Sequence, residues 1–178
     1  MILGLDISTS ITGATVLDGE GNIVYCEAWD TRNKNKFPNL YHKADFVKNK
    51  LKELDKRFDI GYIYIEQSLQ SFRSGFSSAK TLSTLARFNG IVSWTCWNMF
   101  KVEPEMLAAS SARKSVGITI KRGENAKEKV LNFLLDNEPD FDIIYTKYGN
   151  PKPEEYDRAD SIVIARAGYE CIKRSSQS

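Results

Sequence analysis

The sequence predicts an α/β fold: a mixed five-stranded sheet, three antiparallel strands followed by two parallel ones, flanked by helices. Three observations predict it. MILGLDI, TGATVLD and IVYCEAW are short apolar runs within residues 1–29, the last two joined by the turn GEGN; tight connections between such runs make an antiparallel meander. From 39 to 58, Leu40, Ala44, Val47, Leu51, Leu54 and Phe58 recur at steps of three and four, and YIYIEQ follows. A helix leading into a strand brings the chain back parallel to the first strand. Finally, neither glycine-rich nucleotide loop is present, which excludes the doubly wound dinucleotide arrangement.

The remaining elements follow in order. Residues 30–39 are polar, carry Pro38 and read as a loop, and Gly61 ends the first helix. SLQSFRSGFSS (68–78) reads as a polar loop studded with aromatics, followed by a helix at 79–98 that is apolar on more than one side. FKVEPE (100–105) is the next strand expected, because the residue before Pro104 favours extended backbone. LAASSARKSVG and ENAKEKVLNFLLDN read as two helices with ITIKRG between them. Residues 141–155 read as a loop or small hairpin closed by Pro151 and Pro153, and a last helix runs from about 154 to 173.

Composition narrows the chemistry. The 178 residues suffice for one domain, 1–178, with a genuine core. No run approaches the length of a membrane span, and Met1 leads directly into a strand, so a soluble, untargeted, cytoplasmic protein is expected. Cys26, Cys96 and Cys171 are odd in number and contain no CxxC pair, which argues against a disulfide framework or a zinc cluster. His42 is the only histidine; two-histidine metal sites and the usual Ser-His or Cys-His nucleophiles are excluded. Catalysis in this chain has to be built from carboxylates, lysines or hydroxyls.

The net charge of +2 hides an uneven distribution. Arg73, Lys80, Arg87, Lys101, Arg113, Lys114, Lys121 and Arg122 crowd the middle, while the acids gather between Asp136 and Asp160. A solvated surface explains most charge runs, but a basic region beside an acidic cluster also suits an enzyme of polyanions. Asp6 sits inside an apolar strand, where Asp is disfavoured, and Glu66 ends YIYIE. Asp157 and Asp160 are three apart on one helical face. Each could be a helix-start or backbone-bonded acid. If all four converge, their repulsion calls for hard cations with oxygen ligands, Mg²⁺ or Mn²⁺.

At these residues the chain resembles the RuvC-type Holliday junction resolvases of the ribonuclease H-like superfamily. ILGLDISTSITGATVLD resembles the family's opening strand with its metal-binding Asp, and IEQSLQSF its second motif. SARKSVG and ENAKEKV resemble its basic segment, and DRADSIVIA its closing DxxDA-like helix. The resemblance implies a ribonuclease H-like sheet and a branched-DNA endonuclease. Asp6, Glu66, Asp157 and Asp160 then match the ligands of two Mg²⁺ or Mn²⁺ ions, and Lys114 and Lys127 match lysines near the scissile phosphate. Lys121, Arg122 and Lys129 compete for those last two roles. The chemistry implied is in-line phosphodiester hydrolysis assisted by two metals. Three departures stand out: Ile7 and Ser8 replace Pro-Gly, Ser161 replaces alanine, and 141–155 looks inserted. They point to a divergent phage or mobile-element relative, acting in a bacterial or phage-infected cell.

Contacts to four-way-junction DNA are expected from Leu69, Phe72, Arg73, Phe76, Lys80, Arg113, Lys121 and Arg122, with the apolar members wedging between bases or, equally, tucked into the core. The resemblance also implies a homodimer through the helix at 79–98, by way of Leu82, Leu85, Ala86, Gly90, Trp94 and Trp97. Two other readings compete. The opening motif also resembles actin-like ATPases and sugar kinases, and a non-catalytic nucleic-acid-binding protein of the same fold is a further alternative.

Overall fold

The computed structural model describes residues 1–67 and 79–176. Its strands are β1 (Ile2–Asp6), β2 (Ile11–Leu17), β3 (Ile23–Asp30), β4 (Tyr62–Glu66) and β5 (Glu105–Leu107). The helices are α1 (Leu40–Arg57), α2 (Ala79–Phe100), α3 (Ala109–Ser115), α4 (Ala126–Asn137) and α5 (Pro153–Ser175). The sheet order is β3-β2-β1-β4-β5. β1 and β2 are antiparallel, as are β2 and β3, whereas β1–β4 and β4–β5 are parallel. The mixed sheet is the one the sequence predicts.

Alternation along the strands sorts side chains into two cores, because successive residues point to opposite faces. Leu3, Leu5, Ile63 and Ile65 join Val47, Leu51 and Leu54 of α1 and Phe88, Val92 and Cys96 of α2. Ile2 and Tyr64 pack on the other face with Ala159, Ile162 and Val163 of α5, backed by Val130, Leu131 and Leu134 of α4. α5 therefore lies between the sheet and an outer layer, which explains why its middle is buried nearly all round.

The spacing between α5 and the sheet is set by missing side chains. A Cβ on Gly13 would fall 1.9 Å from the Asp157 carbonyl oxygen, and one on Gly4 would fall 2.5 Å from the Ala165 nitrogen. Only glycine allows that approach. A buried hydroxyl pair, Thr15 Oγ1 and Ser161 Oγ at 2.7 Å, fixes the same interface. That pair accounts for a serine after Asp160.

Helix ends follow familiar capping chemistry. Asn39 Oδ1 accepts from the Tyr41 and His42 N–H groups, and Asn125 Oδ1 from those of Lys127 and Glu128. α5 opens with Pro153, then Glu154 and Glu155, the order favoured at a helix start. Tyr145 and Pro151 form an isolated antiparallel bridge, so 141–155 does hold a small hairpin.

The strand expected at 100–105 forms instead at Glu105–Leu107. Phe100 still belongs to α2, and Lys101 breaks the chain with φ 58° while its N–H bonds the Trp97 carbonyl. Pro104 precedes the paired segment, which aligns with Tyr64–Glu66.

Candidate active site

The four acids come from three elements and face one cleft. In β1, Asp6 shares the face of Ile2 and Gly4, the face covered by α5. In β4, Glu66 shares the face of Tyr64 for the same reason. The β1–β4 register pairs Leu5 with Ile65; continuing it by one residue sets Asp6 beside Glu66. α5 brings Asp157 and Asp160 over them. The resulting cleft, about 480 Å³, is lined by Asp6, Glu66, Asp157 and Asp160 together with Arg113 and Lys127.

Local bonds hold the frame. The Asn89 amide donates to the Glu66 carbonyl (3.3 Å) and the Gln67 N–H to the Leu107 carbonyl (2.8 Å), anchoring the end of β4. Ser8 Oγ donates to the Ile11 carbonyl and accepts from the Ser10 and Ile11 N–H groups. This closed turn follows Asp6 directly, and Ser8 and Ser10 line the cleft.

Electrostatics show how strained the cluster is. Burial, then the negative charges of Glu66, Asp160 and Asp157, push the Asp6 carboxyl well above the usual range. Burial and Asp160 push Glu66 up to about 7, against the lowering influence of Arg113 and Lys127. Burial raises Asp157 to about 6. Asp160 also rises through burial, with Lys127 and Arg113 opposing. Lys127 Nζ lies 3.7 Å from Asp157 Oδ1. Partial burial works against its charge, but Asp157, Asp160, Asp6 and Glu66 together raise its pKa.

The donor set is four carboxylates with no nitrogen or sulfur ligand, which suits Mg²⁺ or Mn²⁺. Among the described residues no group of three or more such side chains is spaced to hold a metal ion as it stands. The donors ring an open cleft that also holds Arg113 and Lys127, the lysine paired with Asp157.

The other site residues divide clearly. Lys114 is exposed and does not line the cleft; its neighbour Arg113 does. Ala112 packs into the second core, fixing the rotation of α3, and that rotation was invisible in the spacing of two adjacent basic residues. Lys121 and Arg122 lie exposed in the turn before α4, with the Lys121 N–H on Glu124 Oε2. Lys80 is exposed in the first turn of α2. Leu69, Phe72, Arg73 and Phe76 fall outside the described residues. Leu85, expected at a dimer face, lines the cleft. The sequence reading missed Ser8, Ser10 and Gln67 as cleft residues; the signal for the first two was the polar STS after Asp6.

No protein-family model matches the sequence, and no curated protein does. Solved structures do match. T. thermophilus RuvC in complex with a Holliday junction substrate aligns over 98% of this chain and 96% of its own, with TM-score 0.68 and 14% identity. A second Thermus thermophilus RuvC structure gives 0.64 at 16% identity over 98% and 96%. The yeast mitochondrial Holliday junction resolvase gives 0.61 at 15%, over 99% of this chain and 80% of its own. The sheet order and these alignments define a ribonuclease H-like α/β fold. Within that class, the version this chain adopts is the one seen in RuvC.

Proposed function

We propose that this chain is a metal-dependent, structure-selective endonuclease that resolves Holliday junctions or other branched DNA. The observation that carries the reading is the cleft itself: four acids from β1, β4 and α5 beside Arg113 and Lys127. Among the neighbouring structures one is a mitochondrial Holliday junction resolvase and another is RuvC in complex with a Holliday junction substrate.

Asp6, Glu66, Asp157 and Asp160 would hold Mg²⁺ or Mn²⁺. Such ions supply an activated water and charge stabilisation at a phosphodiester. The chain's own residues do the rest. Ionised carboxylates orient the metals and repel the DNA backbone unless cations intervene. Lys127 and Arg113, aimed into the same cleft, offset the charge that builds on the phosphate as the bond breaks. Lys121, Arg122 and Lys80 extend positive charge beyond the cleft.

Paired cuts in a junction of near two-fold symmetry need two protomers. A homodimer through α2 is supported by Trp94 and Trp97, which are 62% and 49% exposed, and by the shallow groove of Tyr41, Arg87, Gly90, Ile91 and Trp94. Large apolar surface of this kind marks interaction sites.

The test is cleavage of matched four-way, three-way, linear duplex and RNA–DNA hybrid substrates with Mg²⁺ or Mn²⁺. Paired incisions in the four-way junction, lost in Asp6→Asn and Asp160→Asn proteins that still fold, support the reading. Equal cleavage by Asp160→Asn, or no cleavage of any branched substrate, refutes it.

A further inference from the structure

The end of the sheet that carries the acids also carries a basic segment that the cleft does not use. β1, β3 and β4 all finish at this end, since Ile11 pairs with Asp30 at the opening of β2. Asp6 and Glu66 lie on the central strands, and Arg113 follows β5 at one edge. At the other edge, β3 runs into residues 31–39, which carry Arg32, Lys34 and Lys36, and then into Lys43 of α1.

This segment is built onto the cleft wall. The Thr31 N–H donates to the Ser10 carbonyl at 2.8 Å, and Thr31 Oγ1 lies 3.2 and 3.1 Å from the Thr9 and Ser10 carbonyls. Lys43 Nζ also donates to the Thr9 carbonyl. Asn33 Oδ1 accepts from the Asn35 and Lys36 N–H groups, and the Phe37 N–H bonds the Asn33 carbonyl at 2.8 Å. Phe37 is buried against Phe46, ring centroids 5.1 Å apart, and the Lys36 ammonium lies 5.3 and 5.5 Å from those two rings. The lysines are thus presented from a folded turn.

Apart from the contact of Lys36 with the two rings, their charges are not neutralised within the described fold. Arg32 is satisfied by Asp30 at 2.7 Å and Glu154 at 2.9 Å. Among the described residues Lys34 and Lys36 form no ion pair, and no acid occupies the first turn of α1. Burial, and then Lys34 facing it, hold Lys43 below the ordinary ammonium range. Mutually repelling cations fixed beside a nuclease cleft match a polyanion that passes over both.

We propose that residues 31–43 form a second phosphate-binding platform. On it, Lys34 and Lys36 hold the sugar–phosphate backbone of the DNA arm that leaves the cleft on the β3 side, opposite Arg113. The proposal rests on the nuclease reading for its orientation, but its test does not need cleavage.

The full chain, without divalent metal, is titrated with a four-way junction and with linear duplex over a range of salt. Each duplex phosphate neutralised contributes roughly 0.9 to the slope of log K against log salt. The Lys34→Ala/Lys36→Ala protein should therefore bind with a slope shallower by about 1.8. Lys52→Ala/Lys56→Ala, which removes equal charge from the far end of α1, should leave the slope unchanged. An unaltered slope in the first variant overturns the platform, as does an equal change in the control pair, which would reflect net charge alone. A wild-type protein that binds duplex but cuts no junction would defeat the nuclease reading while leaving the slope comparison valid.

Discussion

Lys127, from the first turn of α4, holds its ammonium 3.7 Å from the Asp157 carboxylate of α5. The two aspartates of the closing motif repel each other, and a lysine from another helix stands among the charges that relieve them. An ammonium in this position both partly neutralises the acid cluster and projects toward the cleft where a phosphate would sit. Lys127→Ala is expected to slow single-turnover cleavage by about 100-fold, the order of effect found for removing one charge-stabilising donor, with junction affinity reduced far less. Rates measured at saturating junction decide it; a proportional loss of affinity and rate would make Lys127 a phosphate anchor.

Metal-free stability should fall as pH rises. The Glu66 carboxyl is pushed up from 4.5 to about 7, first by burial and then by Asp160, and burial pushes Asp157 up from 3.8 to about 6. The folded state holds these protons more tightly than the unfolded one. Their contribution is therefore fully present below the unfolded pKa values and is lost as pH climbs through about 6 to 7. At roughly 1.4 kcal/mol per pKa unit the two shifts together amount to several kcal/mol. Glu66→Gln should flatten the profile of Tm against pH, and Mg²⁺ should raise Tm above neutrality while doing little near pH 5. Parallel profiles for the wild type and Glu66→Gln would contradict the electrostatic account.

Arg113 should matter more than Lys114. Arg113 lines the cleft and lowers the pKa of both Glu66 and Asp160, whereas Lys114 faces solvent. Arg113→Ala is expected to reduce cleavage by at least about tenfold, and Lys114→Ala to alter little beyond the salt dependence of binding. Side-by-side single-turnover assays with the two variants would reverse the assignment if Lys114→Ala proved the slower.

Dimerisation is best probed at the exposed tryptophans. Leu85 reaches the cleft, so a charge placed there would disturb both assembly and chemistry. Trp94→Glu, with Trp97→Glu, leaves the cleft untouched and should shift a dimer to monomers in sedimentation at micromolar concentration. Those monomers should lose paired cutting of junctions. A wild type that sediments as a monomer yet makes symmetric paired cuts would remove α2 as the interface.

Much of this was legible because strand alternation is a strict code. Asp6 and Glu66 fall on the α5 face by parity with Ile2 and Tyr64, and three-residue spacing sets Asp157 and Asp160 side by side. β5 was misplaced because three paired residues leave almost no periodic signal, and Phe100 and Val102 mimicked a strand on the wrong side of Pro104. Arg113 and Lys114 could not be separated, since adjacent helical residues differ by rotation alone and Ala112 sets that rotation only through packing. The basic turn at 31–39 read as an ordinary loop; its relation to the cleft depends on Thr31 reaching back to Thr9 and Ser10.

Gly13 and Gly4 give the cleft one further property. Half of its acids ride on the sheet and half on α5, so the separation between the halves is an interlayer gap, set where backbone meets backbone. The cleft is in effect a gauge reading the thickness of the second core. Adding a methyl group at Gly13, or thinning the core at Ile162 or Val130, resets the gauge without touching an acid. Damage to such a site can begin in residues that never reach the cleft.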